Sequence, residues 1–211
     1  MIDFDHLVLW LSPRKVMGSY WPDLSRYKNN GRIYGAELRH GMMWFNGDDY
    51  IQTALQYIPP EGTVLAWCIT SSSNRQNIAW TLFISGQHFR FNVNYKPGVP
   101  GSSPGYLGVC TKYGVLSGYT YVGNVIYNGE PHFWGFSWKN DELRIFFDGE
   151  EKPVTYIHKD VFSGAKCEPL RLGGTAYYLV GYIGEFFFLD KAIGVTEYKI
   201  LYQLTSPYGT R

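Results

Sequence analysis

No apolar run in the 211-residue chain approaches membrane-spanning length, so helical insertion into a bilayer is not expected. Charge is sparse and balanced. Nineteen basic residues face eighteen acidic ones for a net charge of +1, and Lys and Arg never cluster beyond a pair. A nucleic-acid partner is thereby excluded from expectation, because phosphate binding needs a concentrated basic face. The three cysteines, Cys68, Cys110 and Cys167, have no C-x-x-C spacing, which argues against both a disulfide framework and a zinc site. Free thiols are the default reading, and one internal pair stays open. The opening stretch MIDFDHLVLWLSPRK lacks the basic start, long apolar core and small-residue cleavage site of a secretory signal, so a soluble protein without its own export signal is expected. Internal repeats and low-complexity tracts are missing too, which argues against propellers and solenoids.

Aromatic residues are abundant: 18 Tyr, 13 Phe and 7 Trp make up 18% of the chain, beside 24 Gly and 11 Pro. This composition favours strands joined by tight turns, and a hydrophobic fraction of 45% suffices for a core. Short strand-like runs fill most of the length. His6 to Leu11 comes first; Gly41 to Phe45 and Tyr50 to Gln52 follow, with Asn46-Gly47-Asp48 between them offering hairpin chemistry. From Thr63 to Thr70 both alternating sets are apolar (Val64, Ala66, Cys68 against Leu65, Trp67, Ile69), the pattern of a central strand covered on both faces. Further strands are expected at Ile78 to Ile84, Gln87 to Tyr95, Tyr106 to Lys112, Tyr119 to Tyr127, His132 to Trp138, Leu143 to Phe147, Leu170 to Leu172 and Tyr182 to Leu189, with a Pro- and Gly-rich loop over 96–105. Only Thr196 to Leu204 has helical spacing, with Thr196 as N-cap.

Several segments, in order, resemble the laminin-G-like jelly-roll domains of the concanavalin A-like lectin and glucanase superfamily. They are LVLWLSP, DLSRYKNNGRIYG (Asp23 to Gly35), MMWFNGDDYIQ (Met42 to Gln52), VLAWCIT, HFWGFSWKNDELRIFFDGE (His132 to Glu150), LRLGG and YIGEFFFLDKAIGVTEYKILY. This resemblance implies an all-β, two-sheet antiparallel jelly-roll sandwich with one short C-terminal helix, formed as a single domain over residues 1–211. One departure stands out. Where the family's closing strand often carries an acidic pair, Gly184-Glu185 here is followed by three phenylalanines.

The superfamily's glucanases hold their catalytic carboxylates two residues apart on one sheet face, whereas Glu185 and Asp190 are five apart and point to opposite faces of a straight strand. Enzymatic function is therefore not expected: Glu185 reads as a solvated strand residue and Asp190 as the start of a turn. Nucleophile elbows, phosphate loops and metalloprotease motifs are missing. Histidines 6, 40, 88, 132 and 158 are isolated, which suits surface or hydrogen-bonded roles.

What remains is a binding or adhesion module, for glycan or another surface. Sugar rings stack on exposed aromatics while their hydroxyls need polar partners. Trp21, Tyr27, Tyr34, Tyr113 and Tyr119 lie in or beside loops and are the glycan-contact candidates. Trp10, Trp44, Trp67, Trp80, Trp134 and Trp138 sit in apolar strands and are assigned to packing, with one exception allowed. No cofactor is required, and Asp23, Asp48 and Asp49 are candidate Ca²⁺ ligands against an ordinary turn role. Two other readings stay open: a structural component of a virion, such as a decoration or tail protein working through protein contacts, and a divergent glycoside hydrolase. Partners are thus a glycan or protein surface, with a homo-oligomer or larger particle as a further option, at a virion or cell surface.

Overall fold

A computed structural model describes residues 4–70, 80–85, 89–93, 105–111, 115–123, 128–173 and 179–206. Two large antiparallel sheets face each other. The first has eight strands. Its spine is β15 (Glu150–Lys152), β14 (Glu142–Phe147), β13 (His132–Lys139), β8 (Glu61–Thr70), β19 (Val180–Leu189), β5 (Met42–Asn46) and β4 (Glu37–Arg39), and β1 (Leu7–Leu11) pairs with the far half of β19. The second has nine, in the order β16 (Thr155–Lys159), β12 (Leu116–Tyr121), β11 (Tyr106–Thr111), β10 (Phe89–Val93), β9 (Trp80–Ser85), β18 (Arg171–Leu172), β6 (Tyr50–Gln52), β3 (Gly31–Tyr34) and β2 (Tyr20–Trp21). A separate ribbon joins β7 (Tyr57–Ile58) to β17 (Ala165–Lys166), and one helix, α1 (Val195–Thr205), follows β19. The all-β sandwich with a short C-terminal helix is as the sequence reading expected.

The double-faced apolar pattern of β8 has its explanation in two separate cores. Val64, Ala66 and Cys68 point between the sheets, whereas Leu65 and Trp67 point to the outer side, where α1 covers them. The same division splits the phenylalanine run: Phe186 and Phe188 join the inter-sheet core and Phe187 the outer one. Side-chain alternation along a strand forces this. The helix is locked down by Tyr198, whose ring stacks on Phe146 at 4.6 Å and whose hydroxyl donates to the Phe133 carbonyl at 2.6 Å. Trp67 donates its indole N–H to Thr205 at 2.8 Å. Thus Trp67 packs on the outer face, while Trp134 and Trp138 fill the space between the sheets.

Two expectations about local structure fail for physical reasons. Asn46-Gly47-Asp48 does not close a hairpin, because β5 belongs to the first sheet and β6 to the second. The segment is instead a corner between layers: the Asp49 carboxylate accepts the Asn46 N–H at 2.9 Å and packs so closely on Gly35 that it fills the space a Cβ there would need. The true hairpin partner of β5 is β4, joined through His40 and Gly41, both at positive φ as a type I′ turn requires. Asp148-Gly149 makes the same kind of turn between β14 and β15, as its sequence suggests. At the helix, the N-cap is Gly194 rather than Thr196, and Glu197 accepts the Gly194 N–H from the first turn, where negative charge also suits the helix dipole.

The sheets meet through aromatic contacts, among them Phe91 on β10 stacked on Phe136 of β13 at 5.1 Å. Phe136→Ala is expected to cost about 3–5 kcal/mol, read from chemical denaturation of both proteins. Loss of less than about 1 kcal/mol would show that the inter-sheet core does not depend on this pair.

Candidate functional site

The segment after β2 is held by one buried carboxylate. Asp23 accepts four hydrogen bonds, from the Trp10 and Ser25 N–H groups on one oxygen and from the Ser25 hydroxyl and Asn29 N–H on the other, at 2.7–2.8 Å. A carboxylate offers about four acceptor positions, and all are taken. Asn29 is fixed in turn, its side-chain amide donating to the Val8 carbonyl at 2.9 Å. The residues 23–30 thereby become a stiff wall beside β1, with Tyr27 presented at its crest.

Opposite this wall lies the β7/β17 ribbon, and between the two is an open groove of about 640 Å³. Two tyrosines flank it, Tyr27 at 46% and Tyr57 at 49% exposure. Its polar lining comes from Asn29, Gln56, Lys166 and Asp190, and its apolar floor from Val8 and Leu55. Arg26 donates to the Tyr27 hydroxyl at 3.0 Å and lies over its ring, which restrains the ring. That hydrogen bond, and to a lesser degree the charges of Asp5 and Asp190, raise the pKa of Arg26 beyond its usual value. Asp190 is held by His6 at 2.8 Å. Lys166 carries no ion pair among the described residues. Aromatic faces beside amides, a cation and a carboxylate are the equipment for holding a polar ligand with an apolar face.

Of the glycan-contact candidates read from the sequence, Tyr27 alone borders this groove. Trp21 is a correction: its ring is fully buried in the inter-sheet core and cannot touch a ligand, because β2 pairs with β3 and turns the indole inward. Tyr34 is on the outer face of the nine-stranded sheet, stacked on Tyr50 at 4.5 Å. Tyr119 is half-buried beside Tyr106 on β11 and β12, and Tyr113 falls outside the described residues. The candidates therefore do not converge. Tyr57, Gln56 and Lys166 were missed, since β7 and β17 have two residues each and only their pairing sets Lys166 against Tyr57, with Gln56 just before β7, while Asp190, read as the start of a turn, lies just past β19. Tyr57 beside Pro59 and Pro60 was the one usable signal, an aromatic in a turn-rich stretch.

The candidate calcium ligands are not brought together either. Asp23 is saturated by donors, Asp49 is buried against Gly35, Asp48 is exposed in the corner, and no three His, Cys, Asp or Glu side chains gather among the described residues. Glu185 corrects another expectation. A bulge interrupts the β19/β8 register between Ile183 and Phe186 and turns Glu185 toward β1, where it accepts from the Trp10 indole and the Ser12 hydroxyl, each at 2.8 Å. It is a structural hydrogen-bond acceptor, not a solvated strand residue. His6 and His132 are hydrogen-bonded to Asp190 and Asp148, His40 and His158 are exposed, and His88 lies outside the described residues. Cys68 and Cys167 are free thiols, and burial pushes the pKa of Cys68 far up, which makes it inert. Among the described residues no helix is long and apolar enough to cross a membrane.

No protein-family model matches the sequence, and no curated protein matches it. Solved structures do match in fold. The receptor-binding domain of botulinum neurotoxin C/D mosaic serotype superposes with a TM-score of 0.72 at 14% identity, covering 96% of this chain and 52% of that one. The binding domain of botulinum neurotoxin DC, solved in complex with rat synaptotagmin II, gives 0.73 at 12% identity over 97% and 52%. A Trypanosoma rangeli sialidase gives 0.69 at 12% identity, covering 98% of this chain and 34% of that one. This chain spans about half the length of the toxin domains and a third of the sialidase. At such identities the likeness concerns the fold, and it defines the chain as an antiparallel β-sandwich.

Asp23→Asn replaces two of the four accepted hydrogen bonds with a clash between donors. A destabilisation of about 2–4 kcal/mol is expected, measured by denaturant unfolding, together with loss of protection of the Asn29 amide in hydrogen exchange. Unchanged protection at Asn29 would mean that the wall does not depend on this carboxylate.

Proposed function

We propose that this chain is a non-catalytic binding module that seats a saccharide of a glycan-bearing surface in the groove between Tyr27 and Tyr57. The observation that carries this reading is the pairing of two half-exposed tyrosines with Asn29, Gln56, Lys166 and Asp190 around one open groove of about 640 Å³. A pyranose has apolar C–H faces for the rings and hydroxyls for the amides and charges. Because Asp23 and Asn29 lock one wall, little conformational freedom is lost on binding, which favours affinity.

A hydrolytic role has less support. Retaining chemistry needs two carboxylates about 5 Å apart across a bound sugar, one of them free to attack. Both oxygens of Glu185 already accept hydrogen bonds, and Asp190 is engaged by His6. The toxin binding and receptor-binding domains that share the fold lend the binding reading further support. No cation is required by this arrangement.

Screening the intact protein on a glycan array, followed by titration of the best hit, tests the proposal. Tyr57→Ala and Tyr27→Ala are each expected to weaken binding by about five- to tenfold, the worth of one aromatic contact, while unfolding free energies stay within about 0.5 kcal/mol of the parent. An array without hits, or a hit that both variants bind as tightly as the parent, would sink it.

A further inference from the structure

On the outer face of the nine-stranded sheet, four side chains from three adjacent strands form a continuous ladder. Ile33, Ile51 and Leu172 point into the core, so alternation sends Arg32, Tyr34, Tyr50, Gln52 and Arg171 outward. Tyr34 and Tyr50 stack with centroids 4.5 Å apart and planes 15° from parallel. The Arg32 guanidinium lies 5.3 Å from the Tyr34 centroid and that of Arg171 lies 5.2 Å from the Tyr50 centroid, so each end of the tyrosine pair carries a cation. Arg171 is further oriented by donating its Nε–H to Gln52 at 3.0 Å. This leaves its two terminal nitrogens for another partner.

Charge balance is what makes this face unusual. Two other strand arginines are compensated: Arg39 pairs with Glu37 and Arg144 with Glu151. Neither Arg32 nor Arg171 has a carboxylate partner among the described residues. Two uncompensated guanidiniums held by stacking are pre-organised, and a guanidinium fork matches a planar carboxylate in bidentate fashion. Arg32 and Arg171 both register with Gln52 from the strands on either side, which sets their backbones about 10 Å apart at ordinary strand spacing. Between the cations, the tyrosine hydroxyls and the Gln52 amide supply partners for sugar hydroxyls.

We propose that this ladder is a second binding surface, separate from the groove, that takes a carboxylate-bearing polysaccharide along the line Arg32, Tyr34, Tyr50, Arg171. Its charge complementarity distinguishes it from the groove, whose lining already contains both signs.

The test uses the intact protein and oligogalacturonate, with its methyl-esterified form and polyglutamate as comparison probes, in calorimetric titrations at two salt concentrations. Oligogalacturonate is expected to bind, more weakly at higher salt, and the ester to bind at least about tenfold less tightly. The double variant R32Q/R171Q is expected to lose about tenfold or more in affinity while keeping its melting temperature, and R32K/R171K, which keeps the charge but not the fork, to recover only part of it. Tyr57→Ala is expected to leave this affinity unchanged, so failure of the groove and failure of the ladder are told apart. No binding of oligogalacturonate, equal binding of the ester, or equal affinity of R32Q/R171Q and the parent would overturn the proposal. Polyglutamate binding as tight as oligogalacturonate would overturn the assignment to a saccharide.

Discussion

The structure depends on one constraint: the central strands β8 and β19 bury apolar side chains on both faces. A sheet that is apolar on both sides needs two covers. The nine-stranded sheet supplies one and α1 the other, which is why an eleven-residue helix is found at all in a chain of strands. The helix contributes Tyr198 and Leu201 as its buried side, and Tyr198 bonds the Phe133 carbonyl at the same time as it stacks on Phe146. Without that cover, Leu65, Trp67, Phe133 and Phe187 would form an exposed apolar patch, a liability for aggregation.

With both faces of the central sheet occupied, polar contacts have to come from the margins. The wall built by Asp23, the ribbon of β7 and β17, and the outward side of β3, β6 and β18 are such margins. Each is stiffened by a different device. A saturated carboxylate holds the first, main-chain pairing holds the second, and a stacked ladder of Arg and Tyr holds the third. The bulge at Gly184-Glu185 serves the same end from inside: it spends the only acid of β19 on Trp10 and Ser12, tying β1 to the sheet next to the groove. A group that in a hydrolase would have to be free is here part of the scaffold.

Much of the sandwich was legible in the chain. The double-apolar run of β8, the apolar runs of β13 and β14, the Asp148-Gly149 turn and the periodicity of α1 are local signals, set by backbone geometry and by which side of an element is apolar. The shortest elements were mostly not legible, since β2, β4, β7 and β17 have only two or three residues and no period can be read from so few. Asn46-Gly47-Asp48 shows the same limit from the other side: its turn chemistry is real, yet whether the flanking strands pair or part into different sheets depends on long-range registry.

The sequence by itself determined the all-β class, the central strand and the closing helix, because those follow from composition and local periodicity. Only the tertiary structure decided which aromatics meet solvent. Trp21 looked like a loop residue and is wholly buried, while Tyr57 and Tyr50 drew no attention and stand on the surface. The physical reason is that exposure is a property of packing between distant strands: Trp21 faces inward through the pairing of β2 with β3, and Arg171 reaches Tyr50 through strands 119 positions apart at Gln52.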